Sequence, residues 1–297
     1  MGDEQRAKAV RLLDLHRNGR LLVLPNVWNP IGARVLEARG YPAVATASAA
    51  ISASLGYLDG ERLQRGSMIE MIGRIATSVD VPVTADIEGG YADSLDELAE
   101  TIELLLDSGA VGINLEDSLE EGGELRAVNR QCDRIAHVRQ VADRRGIPLV
   151  INARTDSFVS GPFAHHAERI DDCVARARDY AAAGADCIYP MGPGDLDTLR
   201  QLREHIETPL NVLVTAAAVS LEQLQEIGVN RASLGPFVFR SCLAKFERLV
   251  TDLARMDSAP VFAEMLARED VAEILRAEPE VTPVPGLGPV LGDAEGQ

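Results

Sequence analysis

Residues 81–117 read VPVTADIEGGYADSLDELAETIELLLDSGAVGINLED. The stretch opens on a short apolar run, VPVTADIE, and closes on another, GINLED. Between them Leu95, Leu98, Ala99, Ile102, Leu105 and Leu106 recur at helical spacing, which marks an amphipathic helix with one covered face. Ser94 followed by Glu97 forms a capping box at its start, and Gly109 stands where a left-handed residue ends a helix. Strand, helix and strand in so short a span make one βαβ unit with parallel strands.

Working outward, the same rhythm occurs eight times. The strand-like runs are LLVLPNV (21–27), AVATASA (43–49), VPVTADIE (81–88), GINLED (112–117), LVINART (149–155), CIYPM (187–191), LNVLV (210–214) and RASLGP (231–236). Each is brief and rich in Val, Ile, Leu or Ala, as strands covered on both faces are. Gly40, Gly146, Gly184 and Gly228 each close a helical stretch just before a strand. Eight β–α units predict an α/β fold of the TIM (β/α)8 barrel type. A doubly wound sheet would carry a Gly-rich turn after the first strand, and here that turn reads PNVWNPIGA. The eighth barrel helix falls near 237–255, and a further helical stretch runs from Pro260 to Ala277. The reading is a barrel over residues 1–258 with a C-terminal extension, 259–297, that ends in a Pro- and Gly-rich tail.

Composition narrows the class. Of 297 residues, 46% are hydrophobic and 25% charged, so most of the chain can bury a core and disorder is excluded for it. A net charge of −17 repels phosphate backbones and anionic lipid, which argues against nucleic-acid and membrane-surface partners. No apolar run approaches the ~20 residues that span a bilayer. The start, MGDEQRAKAVRLLDLH, has no basic region leading into an apolar one, unlike a secretory signal. Cys132, Cys173, Cys187 and Cys242 are scattered and form no CxxC pair, as reduced thiols of a cytoplasmic protein do.

Chemistry in such a barrel gathers where its strands end. Alternation puts Thr84, Asp86 and Glu88 on one face of TADIE, with Val83, Ala85 and Ile87 on the other. Asn114 and Glu116 repeat the pattern on the fourth strand, and Asn152 and Arg154 on the fifth. With Asp59 in the loop after the second strand, four carboxylates converge on one strand-end cation. Acids that close cannot all stay ionised without a counter-charge. A divalent metal resolves the conflict, and an all-oxygen set favours Mg²⁺, with Mn²⁺ as the alternative. Solvation at an open rim, or pairing with arginines, is the competing reading.

Other groups offer less. The chain's lysines are Lys8 and Lys245, neither on a strand end, so a Schiff-base aldolase is excluded. Ser48 has no His–Asp partner in the strand pattern. His165 and His166 read as a helical surface pair, and His16, His137 and His205 as structural or exposed. Trp28 is divided between roofing the site and core packing. Tyr57, in LGYLDGE, is a weak candidate for proton transfer.

The chain resembles the isocitrate lyase/phosphoenolpyruvate mutase superfamily from about Leu22 to Arg240. The resemblance is carried in order by LPNVWNPIGARVLEARGYPAVATASAAISASLGYLDGE, VPVTADIEGGY, GINLED, INARTDSF, NVLV and GVNRASLGPFVFR. It implies a Mg²⁺ ion at the barrel top that binds a small acid. Asp86 matches the direct metal ligand, and Asp59, Glu88 and Glu116 match the acids that hold the metal's waters. Ser48, Ala49 and Ala50 match the loop that grips the substrate carboxylate. Arg154 matches an arginine on the substrate oxygens, and Asn211 stands where a substrate-side polar residue is common. Asp59, Glu116 and Arg154 are the candidate catalytic groups. The family's barrels exchange their last helix between subunits and form dimers of dimers, which makes 260–277 the expected exchange segment.

One departure bears on the reaction. Isocitrate and methylisocitrate lyases carry a KKCGH-type motif after the fourth strand, whose Cys is the acid/base. Here the region reads EDSLEEGGELRAVNRQ, with no Cys, Lys or His; the mutase loop's Lys and Asn are missing too. Gly122–Gly123 would still let a lid move. Glu121 and Glu124 are its ionisable groups, and Arg126 and Arg130 lie in or after it. The expectation is a Mg²⁺-dependent lyase that cleaves a C–C bond in a small 2-hydroxy or 2-oxo di- or tricarboxylate through a stabilised enolate. The alternatives are a phosphonomutase acting on a P–C bond, an oxaloacetate-type hydrolase, and a non-catalytic metabolite-binding barrel.

Overall fold

The computed structural model describes residues 2–119, 123–215 and 219–276; Glu121, Gly122 and the tail from 277 onward lie outside them. Helix α1 (Gly2–Arg17) precedes β1 (Leu22–Leu24), which continues past Pro25 as β2 (Asn26–Val27). Pro25 has no N–H to give a ladder, so one expected strand is two. The chain then alternates through α2 (Pro30–Ala38), β3 (Val44–Thr46), α3 (Ser48–Ser54), α4 (Arg65–Ala76), β4 (Val83–Asp86), α5 (Leu95–Asp107) and β5 (Gly112–Glu116). It continues with α6 (Val128–Arg144), β6 (Val150–Thr155), α7 (His166–Ala182), β7 (Cys187–Pro190), α8 (Leu196–His205), β8 (Asn211–Leu213), α9 (Leu221–Glu226), β9 (Arg231–Ser233) and α10 (Phe237–Ala254). Two short helices follow, α11 (Ala259–Ala263) and α12 (Arg268–Arg276).

All strand pairs are parallel. Strands β2 to β7 form one sheet in chain order, and β1, β9 and β8 form another. The two meet where β1 runs on into β2, and at a single bridge between Ile188 and Leu210. The ring therefore closes with eight staves, as the repeat predicts. Ala85, Ile87, Ile113, Leu115, Ile151 and Ala153 join Leu98, Ile102, Leu105, Ile135 and Val138 in one buried core between staves and helices. The capping box of Ser94 and Glu97 is formed, and Gly40, Gly109, Gly146, Gly184 and Gly228 all have positive φ.

Helix α1 closes the end of the barrel away from the site. Gln5 donates to the carbonyls of Leu106 and Ala110, and Lys8 to that of Val79, all just ahead of strands. Leu12 presses inward against Gly112. A methyl group at Gly112 would lie 2.7 Å from Leu12 Cδ2 and 2.8 Å from Thr84 Oγ1, so only glycine lets the plug seat.

The expected single helix over 260–277 is instead α11 and α12 with a break between them. Glu264 leaves the helix and pairs with Lys245 of α10 at 2.7 Å, and α12 turns to pack on α2. None of α10's residues is buried, and Leu243, Phe246, Val250 and Leu253 lie exposed along it.

Candidate active site

Asp86 is the last residue of β4, and inward alternation brings its carboxylate to the barrel mouth. Its Oδ2 accepts from the Ser48 amide at 3.2 Å and from the Ser48 hydroxyl at 2.9 Å. Ser48 opens α3, so its N–H has no partner within that helix and is free to meet an anion. Ser48 and Ala50 are buried and Ala49 is half-buried beside them.

Glu88 reaches the cluster by a different route from the one alternation suggests. The strand ends at Asp86, and Glu88 sits in the following loop with φ 53°, a left-handed conformation uncommon for a residue with a side chain. Glu88 Oε2 accepts from the amides of Gly60 (2.8 Å) and Glu61 (2.6 Å), and Tyr91 donates its hydroxyl to Oε1 at 2.8 Å. In return Glu61 Oε1 accepts from the Tyr91 amide at 2.8 Å. These reciprocal bonds clasp the loop that carries Asp59 onto the end of β4. Arg134 braces the same turn by donating to the carbonyls of Gly89 and Ala92.

The acids disfavour one another's charge. Loss of hydration, then the charges of Asp59 and Asp86, push Glu88 up to about 7. Asp59 is raised by lost hydration and by Asp86, with the Gly60 amide and Ser48 hydroxyl opposing. Carboxylates that raise one another in this way present the field a cation would relieve. Among the described residues, however, no group of three or more His, Cys, Asp or Glu side chains forms a ready-made metal cage. The protein's own donors bind the carboxylates of Asp86 and Glu88, an arrangement compatible with one direct carboxylate ligand and intervening waters.

Glu116 ends β5 and faces Arg154 of β6 across the register. Arg154 NH1 meets Glu116 Oε2 at 2.6 Å, while its Nε and NH2 form a fork on Asp156 at 2.7 and 2.8 Å. Burial opposes the charge of Arg154, but Glu116 and Asp156 outweigh it and hold the guanidinium firmly protonated. The single strand-end cation of the sequence reading is thus shared by two carboxylates. Asn211, fully buried on β8, accepts from Ser233 at 3.1 Å in the barrel interior and makes no hydrogen bond to the acids.

Several participants had little signal in the sequence. Asp156 lies two residues past Arg154 and could have been found by the same alternation that singled out Arg154. Tyr91 and Glu61 act through loop geometry that no periodicity reports. Asp117 points away from the mouth and is fully buried. It accepts from Tyr180 (2.6 Å), from Arg176 (3.1 Å) and from the Asp156 amide (3.0 Å). Arg176 also holds the Arg126 carbonyl, and Ser118 bridges Leu125, so the roots of the loop after β5 are anchored to α7. Trp28 packs edge-on against Phe239, Tyr57 is exposed, and His166 bonds Thr198. None of these three makes a hydrogen bond or ion pair with the acids.

A closed parallel barrel with carboxylates and one shared arginine at its strand ends defines a carboxylate-mouthed (β/α)8 protein. Residues 12–254 match the family model described as phosphoenolpyruvate phosphomutase, and the chain belongs to this family, within the isocitrate lyase/phosphoenolpyruvate mutase superfamily. An uncharacterized protein of Mycobacterium tuberculosis (strain ATCC 25618 / H37Rv) is 32% identical over 86% of this chain and 94% of its own length. A crystal structure described as "a putative phosphonomutase from Burkholderia cenocepacia J2315" is 39% identical, with TM-score 0.79 over 84% of this chain and 99% of that one. Phosphonopyruvate hydrolase, crystallised with oxalate and Mg²⁺, shares the fold at TM-score 0.78 and 22% identity over 90% of this chain and 94% of that one. Superfamily membership brings C–C or C–P bond chemistry on small carboxylates. No helix among the described residues is long and apolar enough to cross a membrane.

Proposed function

We propose that this protein is a Mg²⁺-dependent lyase that cleaves a C–C bond in a small 2-hydroxy or 2-oxo di- or tricarboxylate. The observation that carries the reading is the convergence of Asp59, Asp86 and Glu88 at the mouth of the barrel, where lost hydration and the charge of Asp86 raise the proton affinity of Asp59 and Glu88. Asp86 would hold the ion directly, and Asp59, Glu88 and Glu116 would hold its waters. When bound, Mg²⁺ supplies a Lewis acid for oxygens that gain negative charge.

The rest falls to the chain. The Ser48 amide and hydroxyl, both spent on Asp86 in this structure, are the donors that turn to a substrate carboxylate, with the Ala49–Ala50 backbone beside them. Glu116 and Asp156 fix the plane of Arg154, so its guanidinium meets substrate oxygens in one orientation. The clasp between Glu88, Glu61 and Tyr91 keeps Asp59 in place.

The 39% relative described as a phosphonomutase supports a second reading, P–C bond chemistry on the same platform. Family resemblance further supports exchange of the C-terminal helices between subunits in a dimer of dimers, and the uncovered face of α10 agrees with it.

A coupled assay for pyruvate and glyoxylate release tests the reading over 2-hydroxy dicarboxylates, oxaloacetate and phosphonopyruvate, with and without Mg²⁺. Mg²⁺-dependent release from a carbon acid, lost by at least about a hundredfold in Asp86→Ala, is the expected result. Turnover of phosphonopyruvate alone would make the second reading correct. Mg²⁺ binding without any turnover would favour a binding protein.

A further inference from the structure

The barrel interior holds a second arginine that, among the described residues, forms no ion pair with a carboxylate. Arg231, on β9, is fully buried and among the largest side chains in the molecule to be so. Its Nε donates to Ser233 at 3.1 Å, and Ser233 donates on to Asn211. Its NH2 crosses the lumen to Asn114 Oδ1 at 3.3 Å, an oxygen that also accepts from Asn152 at 2.7 Å. The guanidinium therefore spans from the β8–β9 side to the β5–β6 side. Its far end rests on Asn114, the residue in register with Asp86.

The surroundings leave that charge open. Among the described residues Arg231 makes no ion pair, and its NH1 has no hydrogen-bond partner; Asn211 Nδ2 is likewise buried and unpartnered. Burial disfavours the charge, with Cys187, Tyr189 and Asp86 acting the other way. A guanidinium keeps its proton at neutral pH even so. Its field also holds His16 of the plug helix neutral, after burial, with the imidazole proton affinity pushed down to about 3. Arg154, by contrast, is neutralised by Glu116 and Asp156 together.

The geometry points to Arg231 as a positioning residue that sets the affinity for an anionic substrate from beneath the site. Resting on the reading above, in which Asp59, Asp86 and Glu88 face a divalent cation, Arg231 is the interior positive charge left uncancelled. It does not touch the substrate. Fields inside a protein interior fall off more slowly than in water, so a fixed buried charge still acts on a dianion at the mouth. The hydrogen bonds to Ser233 and Asn114 keep the charge from swinging up to pair with Asp86.

The test is titration calorimetry on the full chain, with Mg²⁺ alone and with oxalate at saturating Mg²⁺. Oxalate serves as a planar two-carbon dianion. Arg231→Gln weakens oxalate binding by on the order of tenfold or more, and leaves Mg²⁺ binding alone unchanged or tighter. Arg231→Lys, which keeps the charge and loses the Ser233 bond, stays within about threefold of wild type. Asn114→Asp neutralises Arg231 without removing an atom from the core, and weakens oxalate binding as the glutamine variant does. It is the deciding variant if Arg231→Gln does not fold. A purely structural role is the conclusion if Lys and Gln weaken oxalate binding equally, and oxalate affinity indifferent to both Gln and Asp overturns the proposal. If wild type with Mg²⁺ does not bind oxalate at all, the site reading falls and this inference with it.

Discussion

Glu88 shows how much of the site hangs on one residue. Its left-handed backbone, its two accepted amide bonds and its bond from Tyr91 place a carboxyl where neighbouring acids resist its ionisation. Its proton affinity is raised from 4.5 to about 7 in the fold. Below pH 4.5 folded and unfolded chains both hold the proton, and the group favours neither. As pH climbs from 4.5 to 7 the unfolded chain ionises first, so the metal-free protein loses stability across that window and levels off above it. Urea midpoints measured across this range fall with pH in the wild type, and Glu88→Gln flattens the slope; a midpoint that rises in this window contradicts the assignment. Asp86, Glu116 and Arg154 were legible because strand alternation has a fixed period and their strands are regular to the last residue. Glu88 was found for a partly wrong reason, since it lies beyond the strand. Asp156 and Arg231 are not among the residues the strand pattern singles out: Asp156 follows the last residue of β6, and Arg231 opens β9.

At the scale of elements, the eight staves were readable because each is bounded by a change in hydrophobic period, and Gly40, Gly109, Gly146, Gly184 and Gly228 mark helix ends ahead of five of them. What periodicity could not convey was where a ladder loses a donor, as at Pro25, or where a helix gives way to an ion pair, as at Glu264. Gly112 is a case where the element dictates the residue. Gly112→Ala forces Leu12 and Thr84 apart, and overpacking of this kind costs about 1–3 kcal/mol. The expected result is a lower melting temperature with the N-terminal helix exchanging its amides faster, read by hydrogen exchange. An unchanged melting temperature means that α1 does not seat against β5 in solution.

At the scale of the whole molecule, the described residues leave one side uncovered. Leu243, Phe246, Val250 and Leu253 follow one another along an eighteen-residue helix that buries no residue among those described. Exposed apolar surface of that extent is covered in a stable protein, and a second copy is the cover proposed above. Light scattering coupled to size exclusion reports a mass above that of one chain, and Leu243→Glu with Phe246→Glu lowers it; a wild-type monomer refutes the assembly. The ring that supports this assembly is itself uneven. Six strands are zipped in one arc and three in another. On one side β1 runs on through Pro25 into β2, and on the other, among the described residues, the bridge of Ile188 to Leu210 and the bond from the Ile188 amide to the Pro209 carbonyl join the arcs. Pro190 and Pro209 border that contact and have no N–H with which to widen it. The barrel is in this sense a clasped bracelet rather than a hoop, and the clasp lies between the stave that carries Tyr189 and the stave that carries Asn211. Among the described residues the ring has fewest backbone hydrogen bonds to break there, so the wall parts first between those two staves when the ring breathes.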